Sequence, residues 1–146
     1  MMKIISEEQV EAACLQIAQK IKSRTPSNYS LAAVSRGGLV PAAVVAHYLG
    51  CKDILFIRLS SYADQNREQT EIKDTTVDEI PNLPNTYIID DICDSGETVR
   101  YLRKKYPQAQ IYTLINKNTS IFPDYFPLSE PQGVWVNFPW EPEDRE

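Results

Sequence analysis

Tyr87-Ile88-Ile89-Asp90-Asp91-Ile92-Cys93-Asp94-Ser95-Gly96-Glu97-Thr98 is an apolar run that stops at two adjacent carboxylates and continues into a third carboxylate and a Ser-Gly-x-Thr turn. A parallel strand covered on both faces delivers polar groups to its carboxyl end in this way, just before a helix begins. The pattern predicts a strand over Tyr87–Ile89 and a helix over Glu97–Tyr106, stopped by Pro107.

Working outward, the same alternation recurs. Ser6-Glu7-Glu8-Gln9 reads as a capping box with Ile5 and Val10 as its hydrophobic staple, and Val10, Cys14, Ile17 and Ile21 then follow at helical spacing up to about Arg24. Leu31–Val34 is a short apolar strand cut off by Ser35-Arg36-Gly37-Gly38, after which Pro41 suits the first turn of a helix that Gly50 ends. Ile54–Leu59 makes another strand, residues 60–84 form a long polar loop with room for a short hairpin, and Gln110–Ile115 makes a fourth strand. The last thirty or so residues are rich in proline and aromatics, with one short strand at Val134–Val136. Short, continuously apolar strands alternating with helices predict an α/β fold: a single domain with a mostly parallel twisted sheet flanked by helices, and ligands at the strands' carboxyl ends.

Composition narrows the class. A chain of 146 residues suits one domain that needs no disulfide or metal staple. Cys14, Cys51 and Cys93 have no metal-type spacing and sit among apolar residues, so buried free thiols in a reducing, cytoplasmic setting are expected. Met1–Ile5 runs into a helix start rather than a signal peptide, and no apolar stretch approaches the ~20 residues that span a bilayer, so no membrane insertion is expected. A net charge of −5 argues against a nucleic-acid footprint. His47, among Ala and Leu in mid-helix, is expected to be structural.

An acidic chain that binds anions must do so locally. Ser35-Arg36-Gly37-Gly38 and Asp94-Ser95-Gly96-Glu97-Thr98 each follow a strand, contain glycine and open a helix, so successive backbone amides and, in the second, two hydroxyls can cradle a phosphate. Asp90 and Asp91 between two such cradles would be repulsive unless they hold sugar hydroxyls or a hard cation such as Mg²⁺. A ribose between two phosphate groups, with Mg²⁺ on the diphosphate side, satisfies every group.

Ile88–Thr98 resembles the phosphoribosyl-diphosphate signature of the type I phosphoribosyltransferases. Ala33–Pro41, Ser60-Ser61-Tyr62 and Trp135-Val136-Asn137-Phe138-Pro139-Trp140 look like the xanthine-guanine, purine branch of that family, and the segments run in the same order along nearly the whole chain. The resemblance implies transfer of the 5-phosphoribosyl group from phosphoribosyl diphosphate to a 6-oxopurine (xanthine, guanine or hypoxanthine), with Mg²⁺ as cofactor and pyrophosphate released. It implies ribose contacts for Asp90 and Asp91, with Asp91 toward the metal, and a 5′-phosphate cradle from Ser95, Gly96, Glu97 and Thr98. Arg36 and Gly37 would hold pyrophosphate, and Arg67 in the loop would close over it. Asp94 would accept the base proton, Lys117 would read the oxygen at C6, Trp135 would stack on the ring and Val136 would offer backbone groups to its other edge. The implied organisation is one domain over residues 1–146, with a flexible loop at about 60–84, a base-binding hood at about 117–146, and a dimer or tetramer.

Two residues depart from the family's pattern: Ser95 replaces the more usual Thr but keeps the hydroxyl, and Glu97 adds negative charge beside a phosphate. A non-catalytic nucleotide sensor or RNA-binding regulator on the same fold is the competing expectation. A phospho-receiver is disfavoured, because its acid pair follows the first strand, which here ends in Ser-Arg-Gly-Gly.

Overall fold

The computed structural model describes residues 1–63 and 70–142. Ser6 caps the first helix, α1 (Glu7–Arg24), by the expected reciprocal box: its Oγ accepts from the Gln9 amide at 3.1 Å and its own amide donates to Gln9 Oε1 at 3.0 Å. Such a cap stabilises a helix by about 1 kcal/mol. The second helix, α2 (Leu39–Leu49), ends at Gly50 in the left-handed region with φ 68°, where a side chain would be strained. The third, α3 (Glu97–Lys105), stops just before Pro107.

Six strands form the main sheet: β2 (Ser30–Ser35), β3 (Ile54–Ala63), β4 (Thr70–Asp74), β5 (Thr86–Cys93), β6 (Gln110–Asn116) and β7 (Leu128–Ser129). Their order is β4-β3-β2-β5-β6-β7, and every pair but β3–β4 is parallel. Successive side chains on a strand face opposite sides. Leu31, Ala33, Tyr87, Ile89, Tyr112 and Leu114 pack with Cys14 and Ile17 of α1 and Val45 of α2. Ala32, Val34, Ile88 and Ile111 pack on the other face with Val99 and Leu102 of α3. The strands therefore carry no polar alternation, and the expected α/β sheet flanked by helices is the observed one.

Three features differ from expectation. β5 runs on to Cys93, so Asp90 and Asp91 lie within the strand; Asp90 still pairs with Thr113 on β6. β3 runs past its expected end at Leu59 to Ala63 and pairs antiparallel with β4, from Leu59↔Asp74 to Ala63↔Thr70, so the short hairpin for which the loop had room is joined to the sheet edge. A strand β1 (Met2–Ile4) pairs in parallel with β8 (Trp135–Asn137), through Met2↔Trp135, Lys3↔Val136 and Ile4↔Asn137. Met2 and Ile4 are 49% and 73% exposed, so backbone pairing with a remote segment defines β1. The cysteines are free, Cys14 and Cys93 buried as expected but Cys51 only partly so.

Chain direction across the sheet reverses between β2 and β5, and there the sheet opens. β2 stays paired with β3 as far as Ser35↔Arg58, but with β5 only as far as Ala33↔Ile89. A parallel sheet receives its ligands at such a parting. The backbone of Gly38 fills its root: its amide donates to Val34 O at 2.7 Å, and a Cβ on Gly38 would collide with Ile89 O and lie 2.8 Å from Val34 O. Gly38→Ala should therefore destabilise the fold by roughly 1–3 kcal/mol through backbone displacement. The check is a urea titration at constant slope, and an unshifted midpoint would show that the crevice has room for a methyl group.

Candidate active site

Four strand-end segments meet at this crevice. After β2 the chain turns through Arg36, Gly37 and Gly38, with a cis peptide bond between Ser35 and Arg36. Gly37 lies against the acid pair: a Cβ there would stand 2.6 Å from Asp91 Oδ2, so only glycine lets this loop reach the carboxylate. The two acids fold back on their own backbone, Asp90 Oδ1 accepting from the Asp91 amide at 2.8 Å and Asp91 Oδ1 from the Ile92 amide at 2.7 Å. Burial pushes the Asp90 carboxyl well above the ordinary carboxylate range, and the charge of Asp91 pushes it the same way. Burial also raises Asp91, opposed by its hydrogen bonds with the Asp90 carboxyl and the Ile92 amide.

After β5, Asp94, Ser95 and Gly96 turn into α3. Gly96 has φ 83°, and a Cβ on it would meet the Ile121 side chain at 2.9 Å, so glycine is required by conformation and by space. This turn and the start of α3 enclose a cavity of about 110 Å³, walled by Asp94, Ser95, Gly96 and Thr98 above Cys93 and Val99. It opens on the N-terminus of α3, an end of a helix that favours an anion. Burial holds the Cys93 thiol up at about 11, so it adds a neutral wall. Glu97 is not part of that wall; its amide donates to Ser95 Oγ at 3.3 Å.

Lys117 follows β6 directly, and its amide extends the sheet by donating to Cys93 O at 2.8 Å. Its ammonium lies 3.3 Å from Asp94 Oδ2, the lysine side chain only 4% exposed and the aspartate 51%. The pair is thus buried at the cationic end and open at the anionic end. Trp135 and Val136 on β8 face it across a cavity of about 650 Å³, whose walls also include Arg36, Gly37, Asp91 and Asp94. Phe138 and Trp140 complete that cavity as a stacked pair, with centroids 4.6 Å apart and planes within 8°. Flat apolar walls with a few convergent polar groups suit a planar heterocycle.

The structure thus gathers most of the sequence-derived residues. Arg36, Gly37, Asp91, Asp94, Lys117, Trp135 and Val136 wall the larger cavity; Asp94, Ser95, Gly96 and Thr98 wall the smaller. Asp94 alone of these belongs to both. Asp90 and Glu97 wall neither, and Arg67 lies outside the described residues. Sequence reasoning missed Ile92, Phe138, Trp140, Glu141 and Pro142 as walls, although the Trp-x-x-x-Pro-Trp spacing was a signal for Phe138 and Trp140. It also missed Asn118 and Gln132, whose side-chain amides each donate to Asp94 O at 3.0 Å, and nothing local marks them.

Among the described residues no group of three or more His, Cys, Asp and Glu side chains could cage a metal. Two adjacent, partly buried carboxylates with raised proton affinity nonetheless fit a hard cation that keeps its waters and takes one or two protein carboxylates, the rest of its shell coming from substrate phosphate. No helix among these residues is long and apolar enough to cross a membrane.

The sequence profile of the phosphoribosyl transferase domain matches residues 3–146. The xanthine-guanine phosphoribosyltransferase of Idiomarina loihiensis is 31% identical over 142 residues, covering 94% of this chain and 85% of that protein. The one from Vibrio vulnificus is 34% identical over 143 residues, covering 94% and 88%. Among solved structures, the purine phosphoribosyltransferase of Pyrococcus horikoshii matches with a TM-score of 0.80 at 26% identity, covering 99% of this chain and 97% of that one. The xanthine-guanine-hypoxanthine phosphoribosyltransferase of Helicobacter pylori shares the fold, with a TM-score of 0.76 at 20% identity and coverage of 97% and 94%. The signature at the end of β5, the glycine loop after β2 and this full-length likeness agree: the chain belongs to the phosphoribosyl transferase domain family.

Proposed function

We propose that this chain is a purine phosphoribosyltransferase, transferring the 5-phosphoribosyl group from phosphoribosyl diphosphate to a ring nitrogen of xanthine, guanine or hypoxanthine in purine salvage. The observation that carries this is the position of Asp94, which walls both the phosphate-sized cavity and the aromatic cavity and is ion-paired there with Lys117. A base, a sugar and its 5′-phosphate laid across that junction bring the ring nitrogen to the acid. The names of the bacterial relatives support the same substrates.

In this reading the bond from ribose C1′ to the pyrophosphate oxygen breaks as the bond to the base nitrogen forms. Pyrophosphate leaves with the electron pair and the base proton passes to Asp94. Lys117 donates to the oxygen at C6, Trp135 stacks on the ring, and the Val136 backbone meets the far edge. Ser95, Thr98 and the amides of Gly96 and Glu97 hold the 5′-phosphate, while Arg36 and Gly37 bind pyrophosphate, with Arg67 assigned to the same group. Asp91, backed by Asp90, faces the ribose hydroxyls and would hold Mg²⁺ through its waters. When bound, that ion neutralises charge on the leaving group. Catalysis rests on positioning and on stabilising charge at an oxocarbenium-like C1′ rather than on a protein nucleophile.

The free thiols fit a cytoplasmic enzyme. Leu39 and Val40 at the start of the mainly apolar α2 are 37% and 41% exposed, which supports a homo-oligomer, a dimer or tetramer. The retained Asp94–Lys117 pair and the acidic net charge count against a non-catalytic RNA-binding regulator.

Incubation with phosphoribosyl diphosphate, Mg²⁺ and each base in turn should yield nucleotide and pyrophosphate with at least one of them; no product with any sinks the reading. Asp94→Asn should lower kcat by roughly 10²–10⁴-fold with the fold intact, and full activity would remove Asp94 as proton acceptor. The raised Asp90 carboxyl binds more protons folded than unfolded, so in the metal-free protein its contribution to stability should fall as pH rises above about 4, until the folded carboxyl has ionised. Asp90→Asn should flatten that slope and weaken stabilisation by Mg²⁺; melting curves with and without the ion, unchanged by the substitution, would refute the pair's role. Sedimentation velocity should show a species larger than the monomer at micromolar concentration.

A further inference from the structure

We propose that Gln132 is a positioning residue for the purine base, a role that rests on the function just proposed. Its side-chain amide ties the loop carrying Asp94 to the loop carrying Lys117 and holds both in register with Trp135.

The β5–β6 ladder ends at Cys93↔Asn116, and the Lys117 amide makes one more bond, to Cys93 O at 2.8 Å. Asp94 and Lys117 therefore leave the sheet on two separate loops, and their carbonyls lie beyond the ladder. Gln132 Nε2 donates to both carbonyls, to Asp94 O at 3.0 Å and to Lys117 O at 2.8 Å. A primary amide suits this place because it carries two donor hydrogens on one nitrogen. Gln132 comes from a third segment, the turn in which the Val134 amide donates to Pro131 O at 3.1 Å, three residues before Trp135. One side chain thus joins the carriers of the proton acceptor, the C6-reading lysine and the stacking ring.

Asn118 also donates to Asp94 O, but its Oδ1 is committed to the amides of Ser120 and Ile121 at 2.8 and 2.7 Å, which makes it part of a local turn. Gln132 instead spans 38 and 15 residues of sequence. It does not wall the base cavity itself, so it acts through the groups it aligns.

The test compares the wild-type chain with Gln132→Met, which keeps the length and loses both donors, and Gln132→Glu, which sets a carboxylate against two carbonyl oxygens. Gln132→Met should raise the KM for guanine about tenfold, the equivalent of one neutral hydrogen bond, while the KM for phosphoribosyl diphosphate stays within about twofold. Gln132→Glu should be worse at neutral pH and approach Gln132→Met as its carboxyl gains a proton and becomes a donor. An unchanged KM for guanine, or an equal rise for both substrates with a collapsed melting temperature, overturns the role. Crystal structures of wild type and Gln132→Met read the geometry apart from turnover. The separation of Lys117 Nζ and Asp94 Oδ2 should widen from 3.3 Å, and an undisturbed pair overturns the inference even if the wild type proves inactive and the proposed function falls with it.

Discussion

The structure depends on a seam that is not closed. β2 and β5 share a ladder only to Ala33 and Ile89, and beyond that point two neighbouring strands of one sheet diverge. Their freed ends would expose backbone groups to an apolar interior were the space not taken by the Gly38 backbone, which binds Val34 O and leaves no room for a side chain. Every element of the site is placed by this parting. The loop after β2 reaches Asp91 because Gly37 also lacks a Cβ, and the loops after β5 and β6 stand beside it because those strands remain paired.

An acidic chain whose proposed substrate is a highly charged anion has an electrostatic problem, and the site divides it. Two carboxylates are held together under partial burial, an arrangement that is unfavourable without a positive charge and favourable with one. A third carboxylate is separated from them and given a lysine partner. On the proposed function, the 5′-phosphate falls to backbone amides and hydroxyls, which need no net charge on the protein.

Aromatic walls alone do not position a base; they must be held at a fixed distance from the acid. Two tertiary links tie these walls and the loop of Asp94 to their surroundings. β1 pairs with β8 and anchors the strand that carries Trp135 and Val136, while Gln132 and Asn118 fasten the loop of Asp94 to its neighbours. Both links are made through backbone carbonyls or amides.

The sequence by itself determined what local pattern can encode. The run into Asp90 and Asp91, the glycine loop at Arg36–Gly38, the capping box at Ser6 and the stop at Gly50 were legible, because each is a choice made between near neighbours: burial on both faces, an αL position, a reciprocal hydrogen bond. With the strand-end rule for parallel sheets these were enough to bring Asp91, Asp94, Ser95, Thr98 and Lys117 to one edge. Only the tertiary structure decided which backbone edges pair at a distance. Exposed Met2–Ile4 became a strand against Trp135–Asn137, the hairpin for which the loop after Leu59 had room took its register from the sheet edge, Asp90 stood off both cavity walls, and Gln132 found two carbonyls far along the chain. Hydrogen bonds between remote, polar, solvent-facing groups leave no periodicity in the sequence, because the partner that satisfies each group lies outside any local window.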